Sequence, residues 1–355
     1  MLNQIRKSCK ELSLDACLFY KPENRYYVSG FTGSTGYALI LEDKTYFITD
    51  FRYISQVEEE CPDFEIIEIS ASKSLGDVLN ELKLNSLGFE DDFMSVESLE
   101  SLKGNFHGEL VPMRRFIEKI RQIKSNDEIA LIKKAQSIAD DTFTYLLDFI
   151  KAGMTERDVY LELVNQLKKR GAEGESFKAI VASGVRGALP HGSATDKVIK
   201  EGELLTLDFG CIYKGYCSDM TRTIAIGKAN KKQKEIYEIV LHAQKEALKA
   251  IKPGAICKEI DKIARDIITE AGYGENFGHG LGHAVGLEVH ENPRLNPTDD
   301  SLLEAGMVVT DEPGIYIPGF GGVRIEDLVL VTDTGAQTLS TSNKELIELE
   351  VQEAL

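Results

Sequence analysis

The sequence predicts an α+β protein of two domains: an N-terminal α/β domain over residues 1–118 and an internally duplicated domain over residues 119–355. Three observations carry this. A chain of 355 residues is long for one hydrophobic core. Near Ile117 the pattern changes from short strands and helices to long amphipathic helices. Beyond that point one stretch occurs twice. Residues 202–210 (G-E-L-L-T-L-D-F-G) align without gaps on 306–314 (G-M-V-V-T-D-E-P-G), matching Thr206 with Thr310 and Asp208 with Glu312. Upstream, each copy has a helix after a glycine (Gly153, Gly254) and then a histidine-bearing loop; downstream, each returns through a second acid, Asp219 or Glu326. Two similar halves facing each other would bring four carboxylates into one cleft.

The first domain reads as a mixed sheet covered by helices. An amphipathic helix opens it, followed by strand-like runs at 16–20, 26–31, 37–41, 45–49 and 64–69. The acidic run Glu90-Asp91-Asp92 lacks a histidine or a spaced partner and reads as a solvated loop. His107 stands alone and receives no role.

In the second domain, residues 120–139 have the apolar spacing of a long helix, with Ser125 and Glu128 as its capping box. Thr155 and Asp158 cap a second helix running to about Lys169, and a third covers 231–250. His242 falls inside that third helix and reads as structural.

Composition limits the partners. A net charge of -17 argues against nucleic acid or an anionic membrane, since phosphate binding needs a basic surface. The N-terminus has no uninterrupted apolar run of signal-peptide type, and no window approaches the ~18 apolar residues of a membrane span, so a cytoplasmic protein is expected. The six cysteines form no C-x-x-C pair, and free thiols are expected, with Cys211 and Cys217 as packing residues.

The stretch 204–226 reads as a β-hairpin turning at Lys214-Gly215. An even loop puts Asp208 and Asp219 on one face, directly opposite or one diagonal step apart. Like charges roughly 5 Å apart repel, so either a cation sits between them or both face water. The register of Glu326 against Glu312 stays open, because the 319–322 loop is irregular.

Between the acidic pairs lies F-G-H-G-L-G-H-A-V-G-L-E-V-H-E, with His279, His283 and His290. Each glycine would cost a helix roughly 1 kcal/mol, so the segment reads as loop and strand whose backbone packs close to a site. Four carboxylates with limited imidazole suit a pair of Mn²⁺, Co²⁺, Fe²⁺ or Zn²⁺ ions better than one tetrahedral zinc. Two such ions about 3.5–4 Å apart can activate a shared water for hydrolysis of a carbonyl or phosphoryl bond.

The motifs L-D-F-G (207–210), S-D-M-T-R (218–222), H-G-L-G-H (279–283), V-H-E (289–291), T-D-E-P-G (310–314) and V-R-I-E-D (323–327) follow one family's order. The chain resembles the pita-bread metallopeptidases, in their aminopeptidase P and prolidase branch, which cleave the bond between an N-terminal residue and proline. The resemblance covers essentially the whole chain and implies a creatinase/prolidase-type N-terminal domain, with a part in dimerisation and the substrate-cleft wall, and a pseudo-twofold pita-bread catalytic domain. It implies a homodimer acting on proline-containing peptides with two divalent ions per subunit, for which ligand hardness points to Mn²⁺.

Carried over residue by residue, the resemblance makes Asp208, Asp219, His283, Glu312 and Glu326 the metal ligands, with Asp219 and Glu326 bridging. Glu312 is also the implied proton shuttle. His191, His279 and His290 would line the cleft and stabilise an anionic oxygen or the product carboxylate. Arg324 would orient a ligand through a salt bridge. Tyr316 and the Phe277 region are read as apolar walls for the proline ring. Ala284 departs from the glycine that often follows the second loop histidine. Two alternatives share the fold: a methionine aminopeptidase, disfavoured by the extra N-terminal domain, and a metal-free creatinase-like hydrolase or binding module.

Overall fold

The computed structural model describes residues 1–350. The chain divides into two compact units, Met1–Arg121 and Gln122–Leu355.

In the first unit α1 (Leu2–Glu11) leads to β1 (Ala16–Phe19), α2 (Pro22–Ser29), β2 (Tyr37–Leu41), β3 (Thr45–Thr49), α3 (Ile54–Glu60) and β4 (Glu65–Glu68). Then come α4 (Leu75–Glu81), β5 (Ser86–Phe89), α5 (Val96–Asn105), β6 (Glu109–Pro112) and α6 (Phe116–Arg121). The six strands form one mixed sheet in the order β4-β3-β2-β1-β5-β6. Its central strand is buried on both faces. Cys17 and Phe19 enter one apolar cluster, while Ala16 and Leu18 enter the other, as a two-residue side-chain period requires.

Three segments differ from expectation. Residues 26–31, read as a strand, belong largely to α2. Pro22 opens that helix at a position where a missing N–H costs nothing, and Gly30 closes it at φ 80°. Glu90, read as solvated, is 3 % exposed and accepts hydrogen bonds from the amides of Tyr20 and Lys21 and from Asn24 Nδ2. Cys9 and Cys17, read as free thiols, form a disulfide linking α1 to β1. Their spacing is not diagnostic; the reversal of the chain between helix and strand brings them together. Cys61, Cys211, Cys217 and Cys257 are buried thiols outside any disulfide.

The second unit is a repeat of one plan. Its first half runs through α7 (Asn126–Phe149), α8 (Glu156–Lys169), β7 (Gly174–Glu175), β8 (Ile180–Ser183), β9 (Leu204–Phe209), β10 (Cys211–Tyr213), β11 (Tyr216–Cys217) and β12 (Met220–Ile226). Its second half runs through α9 (Lys231–Ala250), α10 (Cys257–Glu270), β13 (Gly282–Ala284), β14 (Glu291–Leu295), β15 (Val308–Asp311), β16 (Gly314–Ile317), β17 (Gly321–Arg324) and β18 (Asp327–Val331), followed by β19 (Ala336–Thr338) and β20 (Glu348–Leu349). The capping boxes at Ser125 and Thr155 are both formed. The matched glycines Gly202 and Gly306 both adopt the left-handed region, at φ 82° and 92°.

Each half packs its own helix pair on its own sheet. One core gathers α7 and α8 residues such as Phe143 and Leu163 with Leu207 and Phe209. The other gathers α9 and α10 residues such as Tyr237 and Ile260 with Val309 and Val329. The sheets run β20-β12-β9-β8 and β14-β13-β15-β18-β19. Among the described residues no helix is long and apolar enough to cross a membrane.

Candidate metal centre

The hairpin turns through Lys214 and Gly215 at φ 46° and 77°, the positive pair that a two-residue type I′ connection needs. Strands β9 and β12 pair Asp208 with Thr221 and Phe209 with Met220. Asp219 lies two residues before Thr221, so the two aspartates share a face one diagonal step apart.

In the second half, β15 and β18 pair Asp311 with Asp327, and β16 and β17 pair Gly314 with Arg324. Both pairings keep one register, which sets Glu312 opposite Glu326 across the break between the strand pairs. The sequence left that register open. The halves meet at these residues: Thr221 O accepts the Glu326 amide at 3.1 Å, and Thr221 Oγ1 donates to Glu326 Oε2 at 2.7 Å.

His283 enters from β13. Gly282 before it is packed so closely that a Cβ would sit 2.1 Å from Thr310 O, which excludes any larger residue there. His283 Nδ1 lies 3.1 Å from Ala284 O and so carries the proton, leaving the Nε2 lone pair facing Glu312 Oε1 at 3.4 Å and Asp219 Oδ2 at 3.7 Å. Asp219, His283 and Glu326 each offer a ligand atom within 4.8 Å of the others.

Burial pushes the His283 imidazole down to about 3, so it is neutral at any ordinary pH. Burial, and then the charges of Asp208 and Glu312, hold Asp219 well above the usual carboxylate range. Glu326 is raised in the same way, by burial and then by Asp219, Glu312 and Asp208. Burial pushes Glu312 up to about 8 against the opposing Arg324 charge. Asp219 Oδ1 is buried without a hydrogen-bond partner. A neutral nitrogen lone pair and several carboxylate oxygens converging out of water form an electron-rich set that fits divalent cations.

Asp208 faces the same space but is held by Arg324, whose Nη2 donates to its Oδ2. Arg324 Nη1 donates to Tyr316 OH at 2.7 Å, and Nε donates to Thr221 Oγ1 at 3.0 Å. His279 Nδ1 lies 2.8 Å from Gly280 O, and its Nε2 lies 2.8 Å from Tyr316 OH. The proton therefore sits on Nδ1, and Nε2 accepts from the tyrosine. Both nitrogens are engaged inside the protein in this arrangement, while the ring lines the cavity. Tyr316 is a polar link between His279 and Arg324 rather than an apolar wall.

His290 lies edge-on to His283, with ring centroids 4.4 Å apart. The next residue, Glu291, forms a buried ion pair with Lys124 at 3.0 Å, which ties down the loop carrying His290. His191 is exposed on a loop after a short 3₁₀ turn, Gly184–Ala188. The four carboxylates, the four histidines His191, His279, His283 and His290, Tyr316 and Arg324 line one cavity of about 950 Å³, together with Arg294 and Lys178, which the sequence reading missed. Arg294 stands across from His283 in the β13–β14 pairing. The register shift between His283 and Ala284 hides that relation from any count along the chain.

Two facing α/β halves with a buried carboxylate and imidazole cage define a metal-dependent hydrolase of the pita-bread type. Comparison with known proteins specifies the family. The model of metallopeptidase family M24 matches residues 130–333, and that of the creatinase/prolidase N-terminal domain matches residues 1–123. The chain belongs to metallopeptidase family M24. It is 45 % identical to the Xaa-Pro dipeptidase of Pyrococcus horikoshii, over 94 % of this chain and 95 % of the relative. Among solved structures it is similar to the Xaa-Pro dipeptidase from Bacillus anthracis, with a TM-score of 0.95 and 46 % identity over 98 % of this chain and 99 % of that one. It is also similar to the X-Pro aminopeptidase from Thermotoga maritima, with a TM-score of 0.90 and 38 % identity over 96 % and 99 % of the two chains.

Proposed function

We propose that this chain hydrolyses the peptide bond between an N-terminal residue and proline, using two divalent metal ions per subunit. In this reading Asp208 would serve one ion, Asp219 and Glu326 would serve both, and His283 and Glu312 would complete the second site. The hard, oxygen-rich donor set favours Mn²⁺ over Co²⁺, Fe²⁺ or Zn²⁺. The observation that carries the reading is the His283 Nε2 lone pair, turned toward Glu312 and Asp219 at 3.4 and 3.7 Å with no proton of its own to offer them. When bound, the ions polarise the scissile carbonyl and acidify a water molecule.

The protein's own groups do the rest. Glu312 lines the cavity beside the other carboxylates, placed to take a proton from the attacking water and give it to the departing proline nitrogen. An amide nitrogen is too basic to leave as an anion, so a proton must be supplied as the bond breaks. His290, which burial keeps on the neutral side, and His191 serve the side of the cavity where the carbonyl oxygen becomes anionic. His279 acts at one remove, fixing Tyr316 and through it Arg324 on Asp208. Arg294 supplies a cavity cation suited to a peptide carboxylate, which favours substrates that end at proline.

Metal analysis of the purified protein, with turnover of an Xaa-Pro dipeptide and of an Xaa-Pro tripeptide before and after chelation, tests this. The expected result is bound transition metal and chelator-sensitive cleavage, faster for the dipeptide. Metal-free protein whose cleavage ignores the chelator would overturn it. We also read the protein as a cytoplasmic homodimer, to be checked by cell fractionation and by light scattering on the purified chain.

A further inference from the structure

His191 sits at the exposed end of a long loop, and its imidazole makes no side-chain hydrogen bond among the described residues. The loop itself is gathered onto one carboxylate. Glu156, the first residue of α8, is fully buried. Its Oε1 accepts from the Ser183 amide at 2.8 Å and the Ser183 hydroxyl at 2.9 Å, at the start of the loop. Its Oε2 accepts from the Thr195 amide at 3.1 Å and the Thr195 hydroxyl at 2.7 Å, at the end. Arg186 Nε reaches the same oxygen at 3.0 Å, and Arg186 Nη2 donates to Ser193 O at 2.5 Å. Both ends of the segment 183–195, with Arg186 and Ser193 just inside them, are thus fixed relative to α8, and His191 lies between these anchors.

The second half reaches the same arrangement with different residues. Asp261 on α10 is 1 % exposed and takes Arg265 Nε and Nη2 at 2.8 and 2.9 Å. Arg265 in turn donates to Phe277 O at 3.0 Å and His279 O at 2.8 Å, and Asp261 Oδ1 accepts the Leu281 amide at 2.9 Å. In each half a buried acid on the second helix, joined to one arginine, holds the backbone that carries a cavity histidine. A helix N-terminus favours an acid at Glu156, but that alone needs neither the arginine nor the bonds to both loop ends.

We infer that Glu156, acting with Arg186, is the positioning residue that sets where the His191 imidazole stands in the cavity. This rests on the reading above that His191 takes part in turnover. A charge-assisted bracket of this kind restricts the loop to one arrangement, and orienting partners of site residues typically contribute about 10–100-fold to activity.

The test uses the metal-loaded protein with Glu156→Gln, His191→Ala and their combination, and follows an Xaa-Pro dipeptide. Thr195→Val, which removes the 2.7 Å bond to Glu156 together with the longer bond that the hydroxyl accepts from the Lys197 amide at 3.3 Å, stands in should Glu156→Gln fold poorly. Imidazole ¹H–¹³C spectra run in parallel, with the His191 signal assigned by its loss in His191→Ala. The expected result is a loss of about 10–100-fold in kcat/KM for Glu156→Gln, no further loss when His191 is already alanine, and a displaced His191 signal beside unmoved His107 and His242 signals. Losses that multiply in the double variant, or an unmoved His191 signal, overturn the inference. A displaced signal with His191→Ala fully active would instead keep the positioning role and remove His191 from the reaction.

Discussion

Thr221 bonds Glu326 twice, through its carbonyl to the Glu326 amide and through its hydroxyl to Glu326 Oε2 at 2.7 Å. It thereby joins the two halves of the repeat at the metal centre. Thr221 Oγ1 also accepts from Arg324 Nε at 3.0 Å, so one hydroxyl orients a proposed bridging ligand and the arginine that holds Asp208. Thr221→Val keeps the shape and deletes both bonds. The expected outcome is a loss of about 10–100-fold in metal affinity, seen by titrating the metal-free protein, with far-UV circular dichroism unchanged. Undiminished affinity would mean that Glu326 is oriented by its backbone alone.

Asp219→Asn separates the two states of the site. Without metal, the Asp219 carboxylate is disfavoured by burial and by Asp208 and Glu312, so replacing it with a neutral isostere relieves strain. The metal-free variant should melt no lower than the metal-free parent. With metal, a shared ligand is gone, and turnover should fall to background while the stabilisation on adding Mn²⁺ shrinks. Near-normal turnover would exclude a bridging role for Asp219.

These opposite demands explain what could be seen from the chain alone. Asp208, Asp219, Glu312, Glu326 and the glycine-bracketed histidines stand at strand parity or in a repeat, and both survive in one dimension. The helices at 156–169 and 231–250 were equally plain, because cap and apolar period agree there. The tautomer of His279, the polar use of Tyr316 and the place of Arg294 were not visible, since each depends on an atom supplied by a distant strand or on the β13–β14 bulge. Residues 26–31 misled because the apolar content of a short buried helix resembles that of a strand. Only the Pro22 and Gly30 brackets tell the two apart.

Behind the site, Arg222 and Asp327 form an ion pair with both side chains 1 % exposed. The guanidinium also donates to Thr221 O and Ser342 O, at 2.9 and 2.8 Å, and to Glu326 O. Arg222→Met keeps volume but leaves a buried carboxylate short of a partner and three carbonyls short of a donor. The expected cost is about 3–5 kcal/mol, a fall in melting temperature of roughly 10 °C for a unit of this size. Calorimetry checks it. A fall of less than about 2 °C would mean that Lys344, 2.6 Å from Asp327 Oδ2, compensates the charge.

Glu90 gives the first unit a pH dependence of defined sign. Burial raises its carboxyl from 4.5 to about 7, against the amides of Lys21 and Tyr20 that favour the anion. Below pH 4.5 the residue is protonated whether the chain is folded or not, and it imposes no penalty. Between 4.5 and about 7 the folded state keeps its proton while the unfolded state loses it, so stability falls as pH rises. Above about 7 both are ionised and the full penalty stands, on the order of 3 kcal/mol. Glu90→Gln cannot titrate. Its stability relative to the parent, read from urea midpoints of the first unfolding transition at a series of pH values, should therefore climb from pH 4.5 to 7 and level off beyond. The constant offset reports what the amide loses in hydrogen bonding to Tyr20, Lys21 and Asn24, so the slope alone carries the test. A difference that stays flat across the window would show that the three donors outweigh burial and keep Glu90 ionised throughout.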